Sequence, residues 1–228
     1  SAASDVYKRQ DRNFGKYLNL WGIDMNEKIR RIDTYDDERF DREVLNEHGC
    51  YIVQNKYPFE IKIISSYEAI IKGNKEFFDD VIEEFRFYSK HITTFYDTDG
   101  NVAKCFDRIE IFKIEIDRIQ PLQFFVDENK LNAVKTFVRK KEDIIIPLDV
   151  YEDEYLCLDG HTRLFLAYKL GFSHVYGYIT DGFEGEEFFV EETKKRGIKK
   201  AKDMALVSHD EYERKWHAFC EDYYNNRT

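Results

Sequence analysis

The run from Leu156 to Ala167 constrains the fold of this chain more than any other stretch. Leu156, Cys157 and Leu158 read as a strand, Asp159 and Gly160 as a tight turn, and His161 onward as the start of a helix that Gly171 stops. On either side, strand and helix signals alternate over 108–180. Ile109, Ile111, Ile114 and Ile116 form one long β-rich stretch that ends at Pro121. Asp127 is placed to cap a helix whose Leu131, Val134, Phe137 and Val138 share one apolar face. Ile144, Ile145 and Ile146 run into Pro147 as a buried strand, and 175–179 reads as another.

The turn is where chemistry is expected. A helix N-terminus presents backbone N–H groups without intrahelical partners, and its dipole favours an anion. Gly160 permits close approach of a phosphate, Thr162 offers a hydroxyl, and Arg163 offers a planar fork of donors. His161 adds a donor whose charge is expected to be tunable near neutral pH. Gly160, His161, Thr162 and Arg163 are therefore the expected phosphate-binding residues, with Asp159 and His161 as the candidates for catalysis. The same residues have a plainer use, with Asp159 an N-cap, Gly160 a turn residue and Arg163 a surface cation.

Two further regions flank this core. Residues 11–107 mix helix and strand signals: 59–64 alternates as a half-buried strand, 69–71 reads as a second, and 75–90 is an amphipathic helix with an aromatic stripe. Asp97 to Gly100 reads as a hairpin turn. Residues 181–228 read as a helical extension. One helix ends at Gly197, and another begins with the capping box Ser208 to Glu211 and carries Tyr212, Trp216, Phe219, Cys220 and Tyr223 on one face. That face is expected to dock on the preceding core. Residues 1–10 read as the translation of a transposase adapter used for sequencing libraries, which implies a metagenomic source and a natural N-terminus other than the one given.

Composition narrows the function classes. The chain has 228 residues, 43% hydrophobic, with 19 Phe and 16 Tyr, enough for a real core despite 35% charged residues. No apolar run is long enough to span a membrane. The four cysteines lie far apart without metal-ligand spacing, so no protein-bound metal is expected and a reduced, cytoplasmic setting is the simplest reading. A net charge of -10 disfavours DNA as the main partner, because phosphate neutralisation dominates non-specific DNA affinity.

The order strand, Pro121, capped helix, strand with Pro147, strand, Asp159-Gly160-His161-x-Arg163, helix, strand resembles the ParB/sulfiredoxin superfamily over about 65 residues. The resemblance implies a mixed α/β fold of the α+β kind: a small sheet with helices at 108–180, an α+β N-terminal region and a C-terminal helical extension. It also implies a nucleotide (ATP, ADP or CTP) with magnesium at the turn, and phosphotransfer or nucleotide hydrolysis if the chain is an enzyme. Asp159, Gly160 and His161 are similar to the box of free serine kinases, with Thr162 where those carry a second histidine. Three departures qualify the activity. Sulfiredoxins have a nucleophilic cysteine where this chain has His161. The kinases' catalytic glutamate corresponds to Gln123, which is no general base. Pro121 and Gln123 are similar to the first box of partition proteins, yet an arginine-rich second box and a helix-turn-helix are both lacking, so a ParB-like DNA-associated regulator or a catalytically inactive interaction module remain alternatives. Asp127 and Glu128 are the other acidic residues that could serve as base or magnesium ligand, or simply cap a helix.

Overall fold

The computed structural model describes residues 29–226; the adapter-like residues 1–10 lie outside that range. The chain divides into two compact units, one ending at Glu110 and the other continuing from Ile111.

The first unit is a six-stranded sheet with its strands in chain order. Its elements are β1 (Ile29–Arg31), α1 (Arg42–Asn46), β2 (Cys50–Val53), β3 (Tyr57–Ile63), β4 (Glu68–Lys72), α2 (Phe78–Arg86), β5 (Thr94–Tyr96) and β6 (Val102–Cys105). Neighbours are antiparallel except β4 and β5, which are parallel because α2 supplies the crossover between them. The period-2 pattern of 59–64 does what it predicts: Phe59 and Ile61 are buried with Ala69, Ile71, Val81, Ile82 and Phe85. The helix expected over 75–90 is shorter, a 3₁₀ turn at Lys75–Phe77 and then α2. Past its end, the Arg86 side chain donates to the carbonyls of Lys90 and Ile92. The hairpin at Asp97 is held by its own carboxylate, which accepts the N–H groups of Asp99 (3.0 Å) and Asn101 (2.9 Å).

The second unit contains β7 (Phe112–Glu115), a 3₁₀ turn (Ile116–Arg118), β8 (Ile119–Pro121), β9 (Phe125–Asp127), α3 (Glu128–Phe137), β10 (Ile145–Tyr151), β11 (Glu154–Cys157), α4 (His161–Lys169), β12 (His174–Ile179), α5 (Glu186–Lys195), β13 (Ala205–Val207), α6 (His209–Tyr212), a π-helical turn (Glu213–His217) and α7 (Ala218–Asn225). Five strands form one mixed sheet in the order β7-β12-β10-β11-β8. β10 is parallel to β12 and antiparallel to β11, and β11 is parallel to β8. With helices and mixed sheets in both units, the fold is α+β.

The single stretch expected from Ile109 to Pro121 is in fact two strands at opposite edges of this sheet. Ile116 breaks it by turning inward, where it is buried. Four flat strand spacings at about 4.8 Å would separate β7 from β8 by roughly 19 Å. Glu115 and Ile119 are four residues apart, at most about 14 Å of fully extended chain. The sheet therefore curls, bringing its two edges towards each other around Ile114, Ile119, Ile146, Leu156 and Val175.

Of the expected aromatic face, Tyr212, Trp216 and Cys220 are buried in the same core as the sheet, Phe219 and Tyr223 pack against it half-buried, and Tyr224, which is not on that face, is buried instead. The Trp216 ring lies 4.8 Å from that of Phe124, edge to face. The extension is not purely helical. Ala205–Val207 adds β13 parallel to β9, with the Ala205 N–H on the Phe124 carbonyl at 3.0 Å. Three apolar residues are too few to display a strand period in the sequence.

Candidate functional site

Gly160 sits at the N-cap of α4 with φ +81°, a left-handed conformation that a side chain resists. Asp159 is thus one residue too early to be the cap. The helix that follows is fixed by burial: Leu164, Phe165, Leu166 and Ala167 all lie in the core, the larger three at about 1.5–3 kcal/mol each. This anchors the first turn, with its outward amides, on a rigid base.

Arg163 folds back over Gly160. A methyl group added there would lie 2.9 Å from Nη2 and 3.0 Å from Nε. The fork is held from behind, with Nη1 donating to the Ile145 carbonyl at 3.0 Å and Nη2 3.4 Å from the Asp159 carboxylate. The guanidinium retains 20% exposure and Asp159 24%, so neither is sealed off. Thr162 is half-buried beside them.

His161 is the most informative residue. Its side chain is buried, and Nε2 accepts the backbone N–H of Leu122 at 3.0 Å. A ring nitrogen that accepts carries no proton, so the neutral imidazole is protonated at Nδ1. Among the described residues, that Nδ1 has no hydrogen-bond partner. Burial holds the ring well below the ordinary histidine pKa, against the opposing charge of the nearby Asp159 carboxylate. The expectation of a charge tunable near neutral pH is therefore corrected: His161 is a fixed neutral donor, and it is not an acid–base group near pH 7.

Gln123 is also buried. Its Nε2 donates to the Phe125 carbonyl, which fixes the amide orientation, and its Oε1 lacks a donor among the described residues. Cys157 is buried on β11, with its thiol directed at the Asp159 carbonyl (3.2 Å) and its pKa pushed up by burial, the opposite of a nucleophilic cysteine.

Asp127 is committed elsewhere. It caps α3 by accepting the Asn129 N–H at 2.8 Å, and its other oxygen meets His209 Nδ1 at 2.7 Å. Of its two expected uses, the structure shows the cap. Glu128 is exposed in the first turn of α3, where its charge complements the helix dipole. The structure thus brings together Asp159, Gly160, His161, Thr162 and Arg163 with the Leu122 amide and the Ile145 carbonyl. Sequence reading missed both backbone groups, because no side-chain pattern announces a main-chain partner from another strand. No group of three or more His, Cys, Asp or Glu side chains arranged to hold a metal occurs among the described residues. No helix among them is long and apolar enough to cross a membrane.

No family model and no curated protein matches the chain. Among solved structures, the crystal structure of protein Atu1540 from Agrobacterium tumefaciens is similar at 18% identity and a TM-score of 0.32, over 42% of this chain and 62% of that one. The chain therefore spans under two thirds of that protein's length.

Proposed function

We propose that the second unit is a ParB/sulfiredoxin-like domain that binds the phosphate of a nucleotide at the first turn of α4. The observation that carries this reading is the buried Nδ1–H of His161, a donor of fixed tautomer without an acceptor among the described residues. Such a group is costly to bury unpaired, by about 1–3 kcal/mol, unless a ligand oxygen or water meets it. The Arg163 fork over Gly160 and the Thr162 hydroxyl supply the remaining donors, and all of them suit phosphate oxygens. ATP, ADP or CTP with magnesium is the expected ligand. Magnesium is commonly held by one or two carboxylates plus the phosphates themselves, and Asp159 is the acidic side chain at the turn. Cytoplasmic location belongs to the same proposal.

If the domain turns over, phosphotransfer or nucleotide hydrolysis fits, since that chemistry rests on positioning and charge neutralisation. A specific observation favours a second reading, binding without turnover. Gln123 stands where a glutamate base would be, His161 is held neutral, and Arg163 is already engaged by Ile145 and Asp159. A DNA-associated role is opposed by the charge of -10.

A thermal-shift screen with ATP, ADP, CTP and GTP, each with magnesium, tests the proposal. One nucleotide at about a hundredfold excess over its Kd should stabilise the domain by about 2.7 kcal/mol. The shift should vanish in Arg163→Ala and weaken in Thr162→Val, which leaves the Arg163 contacts in place. No shift with any nucleotide removes the phosphate-site reading. A shift without product release selects binding over catalysis.

A further inference from the structure

Away from the α4 turn, two carboxyl groups meet at the start of α5. Asp149 projects from β10, and Glu186 is the first residue of α5, nearly buried. The loop 180–185 passes between them. A methyl group added at Gly182 would overlap Glu186 Oε2 and Asp149 Oδ2 at once, so both oxygens converge on the same point beside the loop backbone. The loop is tied to this pair directly, since the Phe183 N–H donates to Glu186 Oε2 at 3.3 Å. The Thr180 N–H on the Leu148 carbonyl at 2.9 Å fixes the loop's other end to the same strand.

Two ionised carboxylates in this position repel, whereas a protonated Glu186 donates a hydrogen bond to Asp149 and turns repulsion into a tie. Among the described residues, no cation forms an ion pair with either carboxylate of the pair. The charges around it are Glu187 on α5 and, around the neighbouring Tyr151, Glu152 and Glu191 together with Lys194, whose ammonium is taken by Glu154. We propose that Asp149 and Glu186 form a proton-operated latch that pins the loop 180–185 to β10 and releases it when the shared proton leaves.

Burial and the Asp149 carboxylate together raise the Glu186 pKa to about 7. An acid whose folded pKa lies above its unfolded value of 4.5 stabilises the fold fully below that value. The contribution is lost as pH rises through the folded pKa. The latch is therefore closed in mild acid and open in mild base.

Carboxyl carbon NMR of the full chain, labelled at Glu and Asp, reads the pair directly. One carboxyl resonance should titrate near neutral pH and disappear in Glu186→Gln. Hydrogen exchange reads the loop. Corrected for intrinsic rates, amides of 181–185 should exchange about tenfold faster at about pH 8.5 than at about pH 6, the equivalent of one pKa unit. In Glu186→Gln the amide keeps a donor for Asp149 at every pH, so the loop should stay protected across the range. In Gly182→Ala the methyl forces the pair apart, and the loop should exchange fast throughout. If every carboxyl titrates below about pH 5.5, or loop exchange is equally pH-dependent in Glu186→Gln, the latch does not exist.

Discussion

His209 Nδ1 lies 2.7 Å from the carboxylate of Asp127, across 82 residues of sequence. The contact joins the first residue of α6 to the cap of α3, and the pairing of β13 with β9 runs alongside it. The hydrogen bond to Asp127 raises the His209 pKa above its ordinary 6.5. The stabilisation is therefore complete below that value and declines as pH rises through the raised one. His209 is about half exposed, so screening keeps the effect under about 1 kcal/mol. Urea melts of the wild type and His209→Ala should differ in mild acid and converge in mild base.

The two oxygens of Asp127 do separate work, and substitution can divide them. Asp127→Ala should lose both the cap, about 1 kcal/mol, and the His209 partner. Asp127→Asn should keep most of the cap while abolishing the pH-dependent part seen in the His209 comparison. Chemical denaturation at two pH values distinguishes the outcomes.

His161 predicts the opposite slope. Its folded pKa is depressed by burial, so below about 6.5 the unfolded chain binds a proton that the folded chain resists, and stability falls with acid. His161→Phe should remove that slope. It should also cost about 1–3 kcal/mol at neutral pH, because the Leu122 N–H loses its acceptor. Denaturation midpoints between about pH 5 and 8 provide the check.

Gly160→Ala should destabilise by about 1–2 kcal/mol from the left-handed backbone alone. The added methyl would also displace the Arg163 guanidinium from above the turn. Any nucleotide-induced thermal shift should therefore fall more than the stability loss explains, and titration calorimetry of the variant measures that excess.

Gln120 joins the edge of the sheet to the C-terminal extension. Its Nε2 lies within hydrogen-bonding distance of the Pro121 and Ile198 carbonyls and of Thr193 Oγ1. Gln120→Leu should leave a buried carbonyl unsatisfied and lower stability by about 1–3 kcal/mol. A midpoint within error of wild type would show that water replaces the amide.

Elements with a clear period or cap were legible in the sequence. Phe59 and Ile61, the Asp127 cap, the α4 stop at Gly171 and the Tyr212–Trp216–Cys220 spacing all report their own surroundings within a few residues. The break at Ile116 was not legible, because an isoleucine that turns inward at a 3₁₀ bend looks like one that continues a strand. β13 was missed because its partner, β9, is remote in sequence. At the site, residue types indicated the turn, but the state of His161 depends on the Leu122 amide, which no pattern in 156–167 encodes. The Asp149–Glu186 pair was invisible for the same reason, since two acids 37 positions apart meet through the path of the chain.

The curl joining β7 to β8 also sets an order of events during synthesis. Both rims of the five-stranded sheet leave the ribosome before any of its three inner strands, and β12, which connects β7 to the others, comes last of the five. A nascent chain halted before His174 would hold β7 without its hydrogen-bonded neighbour. The sheet therefore cannot close until β12 has been made, and until then the edge of β7 has no strand to pair with.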